Sequence, residues 1–333
     1  MTKLLTAALL ALVAIVAAPV ARGVAIDPFY SGSYSFTDLG AVPDLPQPYG
    51  GLTFKPGDPS KIWIGGDANV AEGLIYEIGV VRGLDGHITG FSGAATALGT
   101  FGGYNDGGVV IGPGGVLFLA RWPVNEIGQV LPGDTAEHRI DAGASFGIPL
   151  SDSISAMNFV PAGFGGAGTL KVATWADGRW YEVTYASDGA GGYDLSGAVQ
   201  IDLDLGSGGI QTLPGGPEGF VFIPAGNPLF TSNSMLLAEF SANTVASYEL
   251  DANGDPILST RRDFVTSLTG AEGAVVDPLT GDFLFSTFGD VTDHVIAVQG
   301  FTDVAVPAPV PGTLLLLAGG LGVLGWARRR AGV

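Results

Sequence analysis

The chain has 333 residues, 47% of them hydrophobic, no cysteine, and 32 acidic against 14 basic residues, for a formal net charge of −18. The apolar content excludes a disordered acidic chain, and the missing cysteine excludes disulfide scaffolds and thiol chemistry. The charge makes nucleic acid and anionic headgroups poor partners.

Residues 1–3 end in Lys3, and 4–20 form an uncharged, almost wholly apolar run followed by small residues that offer cleavage after Ala21 or Ala25. That order predicts a secretory signal peptide over residues 1–25; the alternative is an uncleaved anchor, and either exports the rest. Lys3, Arg22, Arg328, Arg329 and Arg330 lie in the two end segments, which hold no acid. The body, residues 26–305, keeps nine basic and 32 acidic residues, a net charge of −23. Such a surface suits divalent cations, or a place among neutral or cationic polymers.

Glycine supplies 54 residues and falls between short runs rich in Val, Ile, Phe, Tyr and Leu, which predicts short strands joined by tight turns. Five segments repeat a small residue, an apolar strand and a proline: residues 51–56, 108–113, 156–161, 219–224 and 273–278. Second strands follow at 61–64, 116–120, 169–174, 235–239 and 282–287. Third strands follow in turn, and three share a Tyr-Glu pair: Tyr76-Glu77, Tyr181-Glu182 and Tyr248-Glu249. Asp85-Gly86, Asp188-Gly189 and Asn253-Gly254 predict hairpin turns into a fourth strand.

Four strands in roughly 50–60 residues predict an all-β propeller with five countable blades. A sixth irregular blade, a sandwich and a solenoid remain as alternatives. The fifth unit lacks room for a fourth strand, so the lone strand at 33–39 is expected to close the ring by pairing into it, removing an exposed edge.

The phrases Pro217-Glu218-Gly219-Phe220 and residues 271–282 (AEGAVVDPLTGD) resemble the six-bladed calcium-dependent propellers of the gluconolactonase, senescence-marker and NHL-repeat type. In gluconolactonase-like propellers a Glu at the matching place binds metal, which implies a role for Glu218 and Glu272. The residue six places before each repeat proline is Gly50, Gly107, Ser155, Glu218 and Glu272, with Asp106 one step earlier. Loops between second and third strands are expected on the same face and carry Asp67, Asn69, Asn125, Asp177, Asn243 and Asp290. Glu218, Glu272, Asp106 and Asn243 are therefore the candidate ligands of a hard cation such as Ca²⁺. Asp and Asn are equally the ordinary residues of turns.

Other motifs carry less. Residues 143–147 (GASFG) match the nucleophile-elbow pattern, but no helix is expected to follow them. His87, His138 and His294 lie in different units, at no zinc-ligand spacing. Trp122, Trp175, Phe240 and Phe288 each end a second strand, which predicts packing between blades rather than a stacking surface for sugars.

Pro307, Pro309 and Pro311 precede an uncharged apolar run at 312–327, and Arg328, Arg329 and Arg330 follow it. The run is at the lower limit for a membrane span, and the arginines would stay cytoplasmic. A buried C-terminal helix is the alternative. The three-part order over 306–330 resembles the PEP-CTERM sorting signals of bacteria. It implies a sorting tail at 306–333, an exosortase-like processing enzyme, transient anchoring in the inner membrane, and export to the envelope, outer surface or extracellular matrix of a Gram-negative cell producing exopolysaccharide. The expected function is a non-enzymatic binding or structural propeller; the alternative is a calcium-dependent, lactonase-like hydrolase at the channel mouth.

Overall fold

Runs of β-branched and aromatic residues, cut by glycine turns, form every large element of the protein. The computed structural model describes residues 23–203, 210–289 and 292–302. The expected signal segment up to residue 22 and the expected sorting tail, with Pro307, Pro309, Pro311, Arg328, Arg329 and Arg330, lie outside the described residues. Asp290 also does.

Strand β1 (Ala25–Ile26) and strand β2 (Ser35–Gly40) precede the repeats. Blade 1 holds β3 (Leu52–Lys55), β4 (Asp58–Gly66), β5 (Leu74–Arg82) and β6 (Ile88–Ala97). Blade 2 holds β7 (Asn105–Ile111), β8 (Leu117–Arg121), β9 (Glu126–Val130) and β10 (Arg139–Ala142), followed by one helical turn, α1 (Gly143–Phe146). Blade 3 holds β11 (Ile154–Phe159), β12 (Leu170–Thr174), β13 (Trp180–Ser187) and β14 (Tyr193–Gln200). Blade 4 holds β15 (Pro217–Ile223), β16 (Ser234–Glu239), β17 (Thr244–Glu249) and β18 (Arg262–Thr266). Blade 5 holds β19 (Ala271–Val276), β20 (Phe283–Thr287) and β21 (Val295–Gln299).

Each blade is an antiparallel sheet in chain order, and the five sheets make a propeller. The expected closure is present: β2 pairs with β21 from Ser35↔Gln299 to Gly40↔Val295 and completes blade 5. A second N-terminal pairing was not expected. β1 adds to β18 as a fifth strand on blade 4, through Ala25↔Thr266 and Ile26↔Val265. Two outer strands also differ from expectation. β10 has no hairpin signature, and Asn253-Gly254 turns into an isolated bridge, Leu250↔Pro256, with β18 beginning only at Arg262.

The hydrophobic interior is divided into five wedges, each between neighbouring blades. Leu52 and Ile62 of blade 1 pack with Leu284 and Ala297 of blade 5; Phe118 of blade 2 packs with Met157 and Leu170 of blade 3. Trp180 meets Phe220 across blades 3 and 4. Tyr30, Tyr34, Phe230, Phe264 and Phe283 fill the wedge between blades 4 and 5. Burial of each such ring contributes about 1.5–3 kcal/mol.

Small residues allow the innermost strands to approach one another at the axis. A Cβ at Gly51 would lie 2.3 Å from the Gly107 carbonyl oxygen, and one at Gly219 would lie 2.5 Å from the Ala274 nitrogen. Ser155 reinforces the ring by donating from Oγ to the Pro217 carbonyl at 2.6 Å. The first strand of each repeat is therefore the channel lining, and its start marks the mouth.

Candidate metal centre at the channel mouth

Asp106, Glu218 and Glu272 are each the second residue of an innermost strand, on β7, β15 and β19. All three strands carry a bulge at that point. Pro217 pairs with Glu239 and Phe220 with Leu237, so one extra residue bends β15 around Glu218. β19 repeats this between Ala271 and Ala274. In β7 the interval from Asn105 to Val109 spans the same two partner steps, Arg121 to Leu119, and holds one residue more. That added residue explains why Asp106 falls one step earlier than the glutamates when the repeats are registered on proline. Bulges re-aim side chains, and here they turn three carboxylates toward one point.

Oxygen atoms of Asp106, Glu218 and Glu272 all lie within 4.8 Å of one another. The residues are only 1%, 3% and 1% exposed. Asp106 Oδ2, Glu218 Oε2 and Glu272 Oε1 have no hydrogen-bond partner. Asn69, with its amide nitrogen turned toward the cluster, donates to Asp106 Oδ1 at 3.0 Å and to the Asn105 carbonyl at 3.1 Å. Gly107 leaves the room these side chains need, since a Cβ there would stand 2.7 Å from Glu218 Oε2.

Burial raises the Asp106 carboxyl to about 7. Glu218 is pushed well above the usual carboxylate range by burial and then by the Asp106 charge. Glu272 is raised in the same direction by burial, then by Glu218 and Asp106. Like charges this close resist joint ionisation in the absence of a cation. Three orphaned, buried oxygens supplied by three blades fit a hard divalent ion, which takes six to eight oxygen ligands at 2.3–2.6 Å. Nitrogen and sulfur donors are missing from the cluster, which makes zinc a poorer match.

Asn243, the fourth candidate ligand, has its Oδ1 engaged by a backbone amide and does not line the cavity beside the carboxylates. It adopts a left-handed conformation at φ 53° and accepts the Gly270 amide at 3.2 Å, so it serves a turn. The other loop residues also separate. Asn125 is buried and bonded to Ile148 and Ile154, and Asp177 pairs with Arg179 at 3.2 Å. Asn69 of the loop group bonds the cluster directly, through Asp106 Oδ1, and lines the cavity.

The cluster opens into a cavity of about 140 Å³, walled by Trp122, Trp175, Phe240, Phe288 and Asn69. The aromatic residues touch across blades, as expected, but in the mouth rather than in the hydrophobic wedges. The GASFG segment forms the helical turn α1 itself, and Ser145 Oγ donates to the Ala142 carbonyl at 2.6 Å. Ser145 therefore lies inside the single helical turn after β10 and not at an elbow between a strand and a following helix.

No protein-family model matches the chain, and no curated protein does. Similar solved structures include a candidate gluconolactonase, 15% identical, with a TM-score of 0.41 and coverage of 81% of this chain and 82% of that one. Streptogramin B lyase is 12% identical with a TM-score of 0.39, over 80% of this chain and 97% of its own. A candidate 6-phosphogluconolactonase from Bacteroides uniformis is 10% identical with a TM-score of 0.38, over 78% and 85%. No residue role is transferred at these values.

Proposed function

We propose that this is an exported propeller whose channel mouth holds a hard divalent cation, calcium in the first instance, and hydrolyses a small cyclic ester there. The observation that carries the reading is the convergence of Asp106, Glu218 and Glu272, each with an unpaired buried oxygen. A bound cation of this kind supplies Lewis-acid polarisation of an ester carbonyl. Asp106, Glu218 and Glu272 would hold it, while Asn69 fixes the Asp106 carboxyl through Oδ1.

The chemical half is tested by assaying the full chain against a panel of lactones, with calcium and with chelator. Turnover that needs calcium and is lost in Glu218→Gln and Glu272→Gln is expected. Calcium binding without turnover on any lactone would return the protein to a non-enzymatic binding role at the cell surface or in an exopolysaccharide matrix.

The export half rests on the signal-like segment 1–25 and the tail 306–333, with its apolar run at 312–327 between prolines and arginines. Processing by an exosortase-like enzyme would release the body. Deleting residues 306–333 is expected to shift the protein from the membrane fraction to the medium and leave its melting temperature unchanged; a marked fall in melting temperature would contradict a disposable tail.

A further inference from the structure

We propose that the mouth of the channel binds an organic ammonium group, a quaternary or methylated amine, with its methyl groups in an aromatic collar and its charge balanced by the carboxylate floor. The collar follows from the repeat. Asp67, Trp122, Trp175, Phe240 and Phe288 come directly after β4, β8, β12, β16 and β20. Four of the five are aromatic, all four are partly exposed, and all four line the cavity above the carboxylates.

Their arrangement is a curved row. Ring centroids are 5.9 Å apart for Trp122–Trp175, 6.3 Å for Trp175–Phe240 and 5.9 Å for Phe240–Phe288, with interplanar angles of 63–70°. Blade 1 supplies Asn69 in place of a fifth ring. None of the four aromatic residues belongs to any of the five inter-blade wedges. Packing alone does not account for them.

The floor is an independent observation. Asp106, Glu218 and Glu272 are more than nine-tenths buried, and each presents an unpartnered oxygen. The wall carries no basic side chain and no hydroxyl, and Asn69 is its one amide. With no cationic side chain and a carboxylate floor, the mouth disfavours phosphate and carboxylate ligands. An ammonium group needs none of these donors: aromatic faces attract it through their quadrupole, and the buried carboxylates supply counter-charge.

This inference goes beyond the cation-dependent hydrolase and does not require it. A divalent cation and an ammonium group would draw on the same three carboxylates, so the two ligands compete. The test is titration of the chelator-treated full chain with choline and with tetramethylammonium, followed by tryptophan fluorescence and by melting. Saturable binding is expected, weakened by calcium, with the neutral isostere 3,3-dimethylbutan-1-ol at least about tenfold weaker. Trp122→Leu and Trp175→Leu, which keep apolar bulk, should each weaken ammonium binding about tenfold while the calcium-induced rise in melting temperature persists.

Equal affinity for the neutral isostere, or unchanged binding in both folded variants, overturns the inference. A calcium response without ammonium binding sinks the inference and leaves the hydrolase reading intact. Ammonium binding without a calcium response does the reverse.

Discussion

A carboxyl group moved from water into the mouth of this channel loses solvation and gains two like neighbours. Asp106, Glu218 and Glu272 respond with raised pKa values. Unfolded, such groups titrate near 3.9–4.3. Stability from their neutral forms is therefore fully present below about pH 4 and is lost as pH rises through the folded values, about 7 for Asp106. In chelator, the melting temperature should fall from pH 4 to 8 more steeply for wild type than for the Glu218→Gln/Glu272→Gln double variant. Calcium should flatten the wild-type fall, because metal binding requires the deprotonated forms. Parallel curves with and without calcium would contradict this account. Glu218 and Glu272 are legible in the sequence because the proline register places both at a strand start. Asp106 is off that register because β7 carries a longer bulge, and bulge length leaves no mark in a local run of residues. Asn243, whose Oδ1 accepts a backbone amide, illustrates that an Asn serving a turn and an Asn that ligates have the same sequence context.

Blade packing depends on contacts that no single repeat contains. Arg82 at the end of β5 donates to both oxygens of Asp277, at 2.5 and 3.0 Å, across the junction of the first and last blades. Asp277 is fully buried. His87 adds a 2.6 Å contact to Asp282 at the same junction. Removing one partner of a buried ion pair strands the other charge, at a cost of about 3–5 kcal/mol. The partial exposure of Arg82, 17% for its side chain, sets the expectation at the lower end, about 3 kcal/mol. Urea unfolding of Arg82→Ala checks this, and a midpoint indistinguishable from wild type would refute a closing role. Innermost strands are legible as apolar runs ending in a proline, and the closing strand β2 is legible because the fifth unit lacks a fourth strand. β10 and β18 are not. They are partly exposed outer strands, and neither is entered from an Asp-Gly or Asn-Gly hairpin turn.

The whole molecule joins an acidic body to a symmetric frame whose mouth is unsymmetric. Five blades repeat the same strand order, yet three contribute carboxylates, four contribute aromatic rings, and blade 1 contributes Asn69. The frame is readable as a period because every blade must solve the same packing problem. The site is only partly readable in that way: its rings and glutamates follow the repeat, while Asp106 and Asn69 stand where the blades differ. A net charge of −23 on the body draws cations toward every face, so bulk attraction must be separated from a built site. Calorimetric titration of the chelator-treated full chain with calcium, in 0.15 M salt that screens exposed charges beyond about 8 Å, makes that separation. The account predicts saturable binding of one ion per chain, accompanied by proton release and abolished in Glu218→Gln/Glu272→Gln. Weak, unsaturable binding that the double variant retains would contradict it.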